Sequence, residues 1–115
     1  MKSYLSHLEC TWCGSTHSHE QAIRTCPNCG KVLFARYDLP ALKRAGDPTM
    51  FNGRVNSIWR FFELMPVFRQ QNILSLGEGG TPLLNAPNLG RRIGIKNLYI
   101  KDEGLNPTGS FKARG

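Results

Sequence analysis

Short apolar runs separated by turn residues open the chain, before any helical period appears. Within residues 5–38 the runs are Leu8-Glu9-Cys10, Ala22-Ile23-Arg24 and Val32-Leu33-Phe34, and they predict a small β-ribbon. Tyr37-Asp38-Leu39-Pro40 and a polar, Gly/Pro-containing stretch to Gly53 read as a linker or a short helix plus loop. The period then changes. Val55, Ile58, Trp59, Phe62 and Met65 recur at three- and four-residue steps, which predicts a helix over 54–65 with one packing face, ended by Pro66. Residues 76–84 read as a turn-rich loop leading into a short strand. Leu89 to Ile95 predicts a short helix ending near Gly94, Asn97 to Lys101 a strand, and 102–109 a loop, after which Ser110 opens a second helix. No internal repeat or low-complexity segment interrupts this order.

Composition agrees with a folded α/β chain. With 115 residues, 40% hydrophobic and 20% charged, there is room for one ordinary domain or two very small ones. The elements suggest residues 1–40, 41–75 and 76–115 as units. No run approaches the roughly 18 consecutive apolar residues of a membrane span, and Met1 to His7 lacks the apolar centre of a signal peptide. A cytoplasmic protein without a membrane partner is expected. The net charge of +7 raises the question of nucleic acid, but its distribution answers against it. Residues 1–40 carry four basic and three acidic side chains, whereas residues 41–115 carry eleven basic and five acidic ones. Cations placed there suit a phosphorylated small molecule as well as a polynucleotide. The chain stops at Gly115, directly after Ser110-Phe111-Lys112-Ala113-Arg114, with no cap or stop signal, and the expectation is a piece of a longer protein.

The four cysteines fall as C-x2-C-x12-C-x2-C: Cys10, Cys13, Cys26 and Cys29. Gly14 and Gly30 follow the two pairs and can take positive φ, which curls the backbone and turns amide hydrogens toward the sulfurs. Two such knuckles facing each other set four thiolates at tetrahedral corners, the arrangement zinc prefers. Iron can use similar knuckles. Disulfides would need an oxidising compartment, and a redox pair would need a βαβ context that is missing here. His17 and His19 lie nearby, but four cysteines already fill the site. A closed four-sulfur site has no open position for chemistry, so the expected role is structural.

A second constellation is Asn106-Pro107-Thr108-Gly109-Ser110-Phe111-Lys112-Ala113-Arg114. Pro107 and Gly109 force an irregular loop, and Ser110 can cap the helix that follows. Lys112 then lies in its first turn, where the helix dipole disfavours a cation and favours the neutral amine that attacks an aldehyde. Nearby free amides suit an anion. Physics alone leaves the ordinary reading open, in which Lys112 is a solvated surface charge.

The run from Asn97 to Gly115 resembles the cofactor-lysine segment of threonine synthases, which are pyridoxal-phosphate enzymes of fold type II, the tryptophan synthase β-like class. Residues 76–83 resemble that family's upstream loop, 58–66 the helix before it, and the four-cysteine section with Tyr37-Asp38-Leu39 the N-terminus of one branch. The resemblance implies a zinc ribbon followed by an incomplete fold-type-II domain. It implies that Lys112 carries pyridoxal phosphate covalently and that Phe111 lies beside the cofactor ring. It places Thr108, Ser110 and Lys101 near the anionic end of the substrate. The residues for the cofactor phosphate and pyridine nitrogen would lie beyond Gly115, so the chain alone is expected to be inactive. The implied reaction turns O-phospho-L-homoserine and water into L-threonine and phosphate, in a protein that can be a homo-oligomer when complete. Two alternatives stand beside it. One is a related fold-type-II lyase such as cysteate synthase, acting on phosphoserine or a hydroxy-amino acid. The other is a zinc-ribbon protein that binds nucleic acid.

Overall fold

Leu5, Leu8 and Cys10 mark the first strand, and it becomes the centre of a sheet because the two strands that follow both fold back onto it. A computed structural model describes residues 2–114. Strand β1 (Leu5–Cys10) pairs antiparallel with β2 (Thr16–His17) on one side and β3 (Leu33–Tyr37) on the other, in the order β2-β1-β3. Leu8 faces His17 and Ala35, and the β1–β3 register is irregular between Leu5 and His7. An exposed cross-strand pair, Glu9 with Arg36 at 2.7 Å, decorates this ladder.

The strand expected at Ala22-Ile23-Arg24 does not form. The Cys10 amide donates to the Ser15 carbonyl (2.9 Å), so the chain turns at once beside β1 and Thr16 takes up the pairing. Residues 22–24 instead lead into the next tight turn, closed by the Cys26 amide on Lys31 O (2.8 Å).

Helix α1 (Leu39–Ala45) has a clear start in the sequence. Asp38 accepts from the Ala41 amide at 2.9 Å, Pro40 sits in the first turn, and Lys43 and Arg44 lie in the last turn, where cations suit the dipole. A second Asp, Asp47, caps the 3-10 turn Pro48–Phe51 by accepting from the Thr49 amide at 2.7 Å.

The helix expected over 54–65 is replaced by a kinked 3-10 segment, Ile58–Leu64, with Phe61 at φ −102° and ψ 39°. Its backbone groups are claimed from outside. The Glu63 carbonyl accepts from the Tyr4 amide (2.9 Å), and the Met65 carbonyl accepts from the Ser3 hydroxyl (2.6 Å). The Ile58 amide donates to Glu78 O (3.1 Å). The expected apolar face is only partly realised: Phe62 is wholly buried, while Val55 is 64% exposed.

The chain forms two compact units. The first holds residues up to Arg54 together with Phe61–Ile73, and the second holds Val55–Arg60 with Leu74 onward. In the first, Leu5, Cys10, Cys26 and Phe62 are the buried apolar centre, and Glu63 is buried beside them. Arg54 meets the Glu63 carboxylate through both terminal nitrogens, at 2.7 and 2.9 Å. This guanidinium holds the Glu63 carboxyl below the usual carboxylate range. The Glu63 side chain is 5% exposed, so removing Arg54 strands a buried charge. Arg54→Ala is therefore expected to cost about 3 kcal/mol in urea unfolding. Because the folded pKa is depressed, the pair's contribution is fully present above the unfolded glutamate pKa of about 4.3. It is lost as pH falls through the folded value. The penalty of Arg54→Ala should shrink in parallel below pH 4.

In the second unit, β4 (Leu83–Asn85) and β5 (Tyr99–Lys101) pair antiparallel, Leu84 opposite Ile100, and α2 (Pro87–Ile93) connects them. Pro87 starts α2, and Gly94, at φ 76°, ends it in the left-handed conformation that favours glycine. The helix expected from Leu89 starts earlier, at Pro87, and ends at Gly94 as expected, while the strand expected from Asn97 is shorter, Tyr99–Lys101. Among the described residues no helix is long and apolar enough to cross a membrane.

Candidate functional site

The end of β1 delivers Cys10, and the turn after it delivers Cys13. Gly14 (φ 70°) lets that turn close, and the amides of Trp12 and Cys13 point at the Cys10 sulfur, 3.4 and 3.5 Å away. Gly30 (φ 72°) repeats the arrangement after Cys26 and Cys29, with its amide on Cys26 O at 2.8 Å. The four Sγ atoms lie within 4.8 Å of one another. Individual separations are 3.4 Å for Cys10–Cys29, 3.6 Å for Cys13–Cys29 and 3.7 Å for Cys13–Cys26. A tetrahedron with 2.3 Å Zn–S arms has edges of about 3.8 Å, so the cage fits a four-sulfur metal site. All four cysteines are free.

The cage is uneven. Cys10 and Cys26 are buried, Cys29 is half-buried and Cys13 is exposed. The Ser15 hydroxyl and amide hold the Cys13 thiol down at about 6. Cys29 is pushed up to about 12: the Lys31 amide favours its thiolate, but burial and the three neighbouring sulfurs outweigh it. So many thiolates at this spacing repel one another, and a cation in their midst removes the conflict. His17 places Nε2 3.5 Å from the Cys26 sulfur, outside the four-sulfur set, and His19 lies against Phe68 with ring centres 4.7 Å apart and planes tilted by 42°.

The lysine loop belongs to the second unit. Gly109 (φ 67°) turns it, with its amide on Asn106 O at 2.8 Å. Thr108 Oγ1 donates to Ser110 O at 3.3 Å. The Ser110 hydroxyl accepts from the Lys112 amide at 3.3 Å, as expected of a cap. What it caps is a single 3-10 turn, Phe111–Arg114, over the described residues. One turn sums too few peptide dipoles for the macrodipole argument to bear on the amine. Lys112 is exposed, with Nζ 5.5 Å from the ring centre of Phe111, itself 63% exposed.

Beside this loop lies a cavity of about 430 Å³, lined by Leu74, Ser75, Leu76, Glu78, Pro107, Thr108 and Ala113. Glu78 is buried and accepts from the Leu76 amide (2.7 Å) and the Ser75 hydroxyl (3.1 Å). Of the residues singled out in the sequence, Thr108 lines this cavity. Lys101, on β5, directs its ammonium to the Thr81 carbonyl. The upstream loop is pressed against its neighbours: a Cβ on Gly79 would meet the Ile58 amide nitrogen at 2.5 Å, and one on Gly80 the Asn56 carbonyl at 2.3 Å.

Sequence reasoning gave no role to Glu103, Thr81 or Asn106. Thr81 and Asn106 are buried, and all three meet in one hydrogen-bonded cluster with Arg114. They occupy stretches without periodicity, so the one available signal was an acidic residue inside an otherwise Asn/Pro/Gly-rich loop.

Residues 74–115 match the model of the family described as pyridoxal-phosphate dependent enzyme. This segment is similar to members of that family. The chain is also similar to curated threonine synthases. That of Methanosarcina acetivorans is 42% identical over 109 residues, covering 95% of this chain and 26% of its own length. That of Methanocaldococcus jannaschii is 44% identical over 106 residues, 92% of this chain and 26% of its own. That of Halalkalibacterium halodurans is 48% identical over 64 residues, 51% of this chain and 18% of its own. The chain thus spans about a quarter of the length of the first two relatives. No solved structure matches the chain. The matched segment contains the lysine loop whole, with its exposed primary amine.

Proposed function

We propose that this chain forms part of a threonine synthase, a lyase acting on O-phospho-L-homoserine, with Lys112 as the cofactor lysine. The observation that carries the reading is an accessible amine on the Asn106–Arg114 loop, inside the segment that matches pyridoxal-phosphate dependent enzymes. Pyridoxal phosphate, when bound, supplies the electron sink that makes protons on an amino acid's Cα and Cβ removable. Lys112 Nζ would hold the cofactor's aldehyde carbon until substrate arrives. As a neutral amine it would then take the Cα proton and afterwards a Cβ proton. Phe111 would pack beside the ring. Thr108 and Ser110 would offer hydroxyls, and Lys101 a cation, to the substrate's anionic end. Lys101 donates to the Thr81 carbonyl and retains two further N–H groups for such an anion.

Cys10, Cys13, Cys26 and Cys29 would hold one zinc ion in a ribbon of β1, β2 and β3. The metal's part is structural, because four protein sulfurs leave no position for substrate.

Turnover of two phosphorylated amino acids tests the substrate. The full-length protein should use O-phospho-L-homoserine with a kcat/KM about tenfold or more above that for phosphoserine, the discrimination one methylene can supply. A preference for phosphoserine would replace threonine formation with the cysteate synthase type of reaction.

A further inference from the structure

One carboxylate gathers the donors of both loops in the second unit. Glu103 accepts from Thr81 Oγ1 at 2.6 Å, from Asn106 Nδ2 at 2.9 Å, and from Arg114 Nε and Nη2 at 2.6 and 2.8 Å. Arg114 Nη2 also reaches Thr81 Oγ1 at 3.2 Å. Asn106, 5% exposed, spends its remaining polar atoms on the same junction. Its amide nitrogen also donates to Glu103 O (3.1 Å), and its Oδ1 accepts from the Gly79 amide (3.0 Å). Asn106 stands six residues before Lys112 and Arg114 two residues after it. Both ends of the lysine loop are therefore tied to one side chain, which is tied in turn to the upstream loop at Thr81.

We propose that Glu103 is a positioning residue: it brackets the loop at Asn106 and Arg114 and so sets where the Lys112 amine stands. The inference rests on Lys112 being the amine that takes the cofactor's aldehyde. The geometry argues for positioning rather than for contact with substrate. Every partner of the carboxylate is a protein donor, and Lys112 is not among them. The bracket is also constant over the working range of an enzyme. Arg114 first, then Thr81, holds the Glu103 carboxyl at about 2, so the acceptor stays ionised. A bidentate guanidinium–carboxylate pair fixes an angle as well as a distance, which a single contact would not do. A reacting group misplaced by an ångström loses much of its rate, so a bracket two residues from the amine has leverage on chemistry it never touches.

The test reads the amine directly. Full-length protein freed of cofactor is exposed to pyridoxal phosphate, reduced with borohydride, and analysed by peptide mass spectrometry for adduct at each lysine. Lys43 and Lys96 serve as internal surface standards. In the wild type, Lys112 should exceed both standards. Glu103→Gln, which keeps the shape but puts an NH2 donor where Thr81, Asn106 and Arg114 need an acceptor, should lower the Lys112 adduct about tenfold relative to the standards. Arg114→Gln, at a side chain 35% exposed, should do the same and serves as the deciding variant if Glu103→Gln fails to fold. The double variant should be no worse than the stronger single one, as two halves of one device require. Folded variants with unchanged Lys112 labelling would overturn the bracket and leave the role of Lys112 intact. A wild type in which Lys112 labels no better than Lys43 and Lys96 would sink the role of Lys112, and the bracket with it.

Discussion

Lys112→Ala is expected to reduce threonine formation by the full-length protein by about 10³-fold or more, the scale of a positioned acid–base group whose loss nothing nearby makes good. The neighbouring cations are engaged elsewhere. Lys101 donates to the Thr81 carbonyl, and Arg114 is paired with Glu103. Neither can swing into the vacancy without breaking a contact described above. The substitution is at an exposed position, so the fold should survive it, and the melting temperature should stay within a few degrees of wild type. Lys43→Ala, at an exposed residue in the last turn of α1, is the matched control and should leave turnover unchanged. The measurement is threonine release from O-phospho-L-homoserine under saturating cofactor. Turnover by Lys112→Ala within tenfold of wild type would remove the residue from the mechanism.

The second large effect concerns the metal cage. Cys26→Ser should lower zinc affinity by more than the roughly 10–100-fold lost when only an outer partner of a metal ligand is removed. The cost to the first unit should be greater than that of an ordinary core substitution. Cys26 is 1% exposed and, among the described residues, is one of four buried apolar residues there, alongside Leu5, Cys10 and Phe62. With so little apolar centre, a metal held by the four sulfurs would supply folding energy. Metal analysis of the purified protein should find about one zinc per chain in the wild type, and hydrogen exchange should show residues 5–37 losing protection in Cys26→Ser or after chelation. A wild-type protein that is metal-free yet fully protected in that region would overturn the metal reading.

Much of this architecture was legible from short-range chemistry. The Gly14 and Gly30 turns, the glycine end of α2, the strand at Tyr99 and the Ser110 cap all depend on residues close in sequence. What failed was periodicity read where tertiary partners decide. Val55, Ile58, Trp59, Phe62 and Met65 satisfy a helical template, yet the amides and carbonyls of that stretch bond to Tyr4, Ser3 and Glu78, far away in the chain. The expected strand at 22–24 lost its place to Thr16–His17 because a tight turn reached β1 first. The Glu103 cluster was invisible for a related reason. Thr81 and Arg114 stand 22 and 11 residues from Glu103, spacings that no local rule connects.

The crowding at Gly79 and Gly80 bears on attempts to redesign this protein. Both take left-handed backbone angles, φ 86° and 61°, and both lie against main-chain atoms that cannot rotate aside. A saturation library spanning residues 76–83 should thus return these two codons nearly invariant, while Leu76 and Leu83, each well over half exposed, accept broad replacement. Diversity aimed at the cavity's rim is better spent on Leu74 and Thr108 than on these glycines.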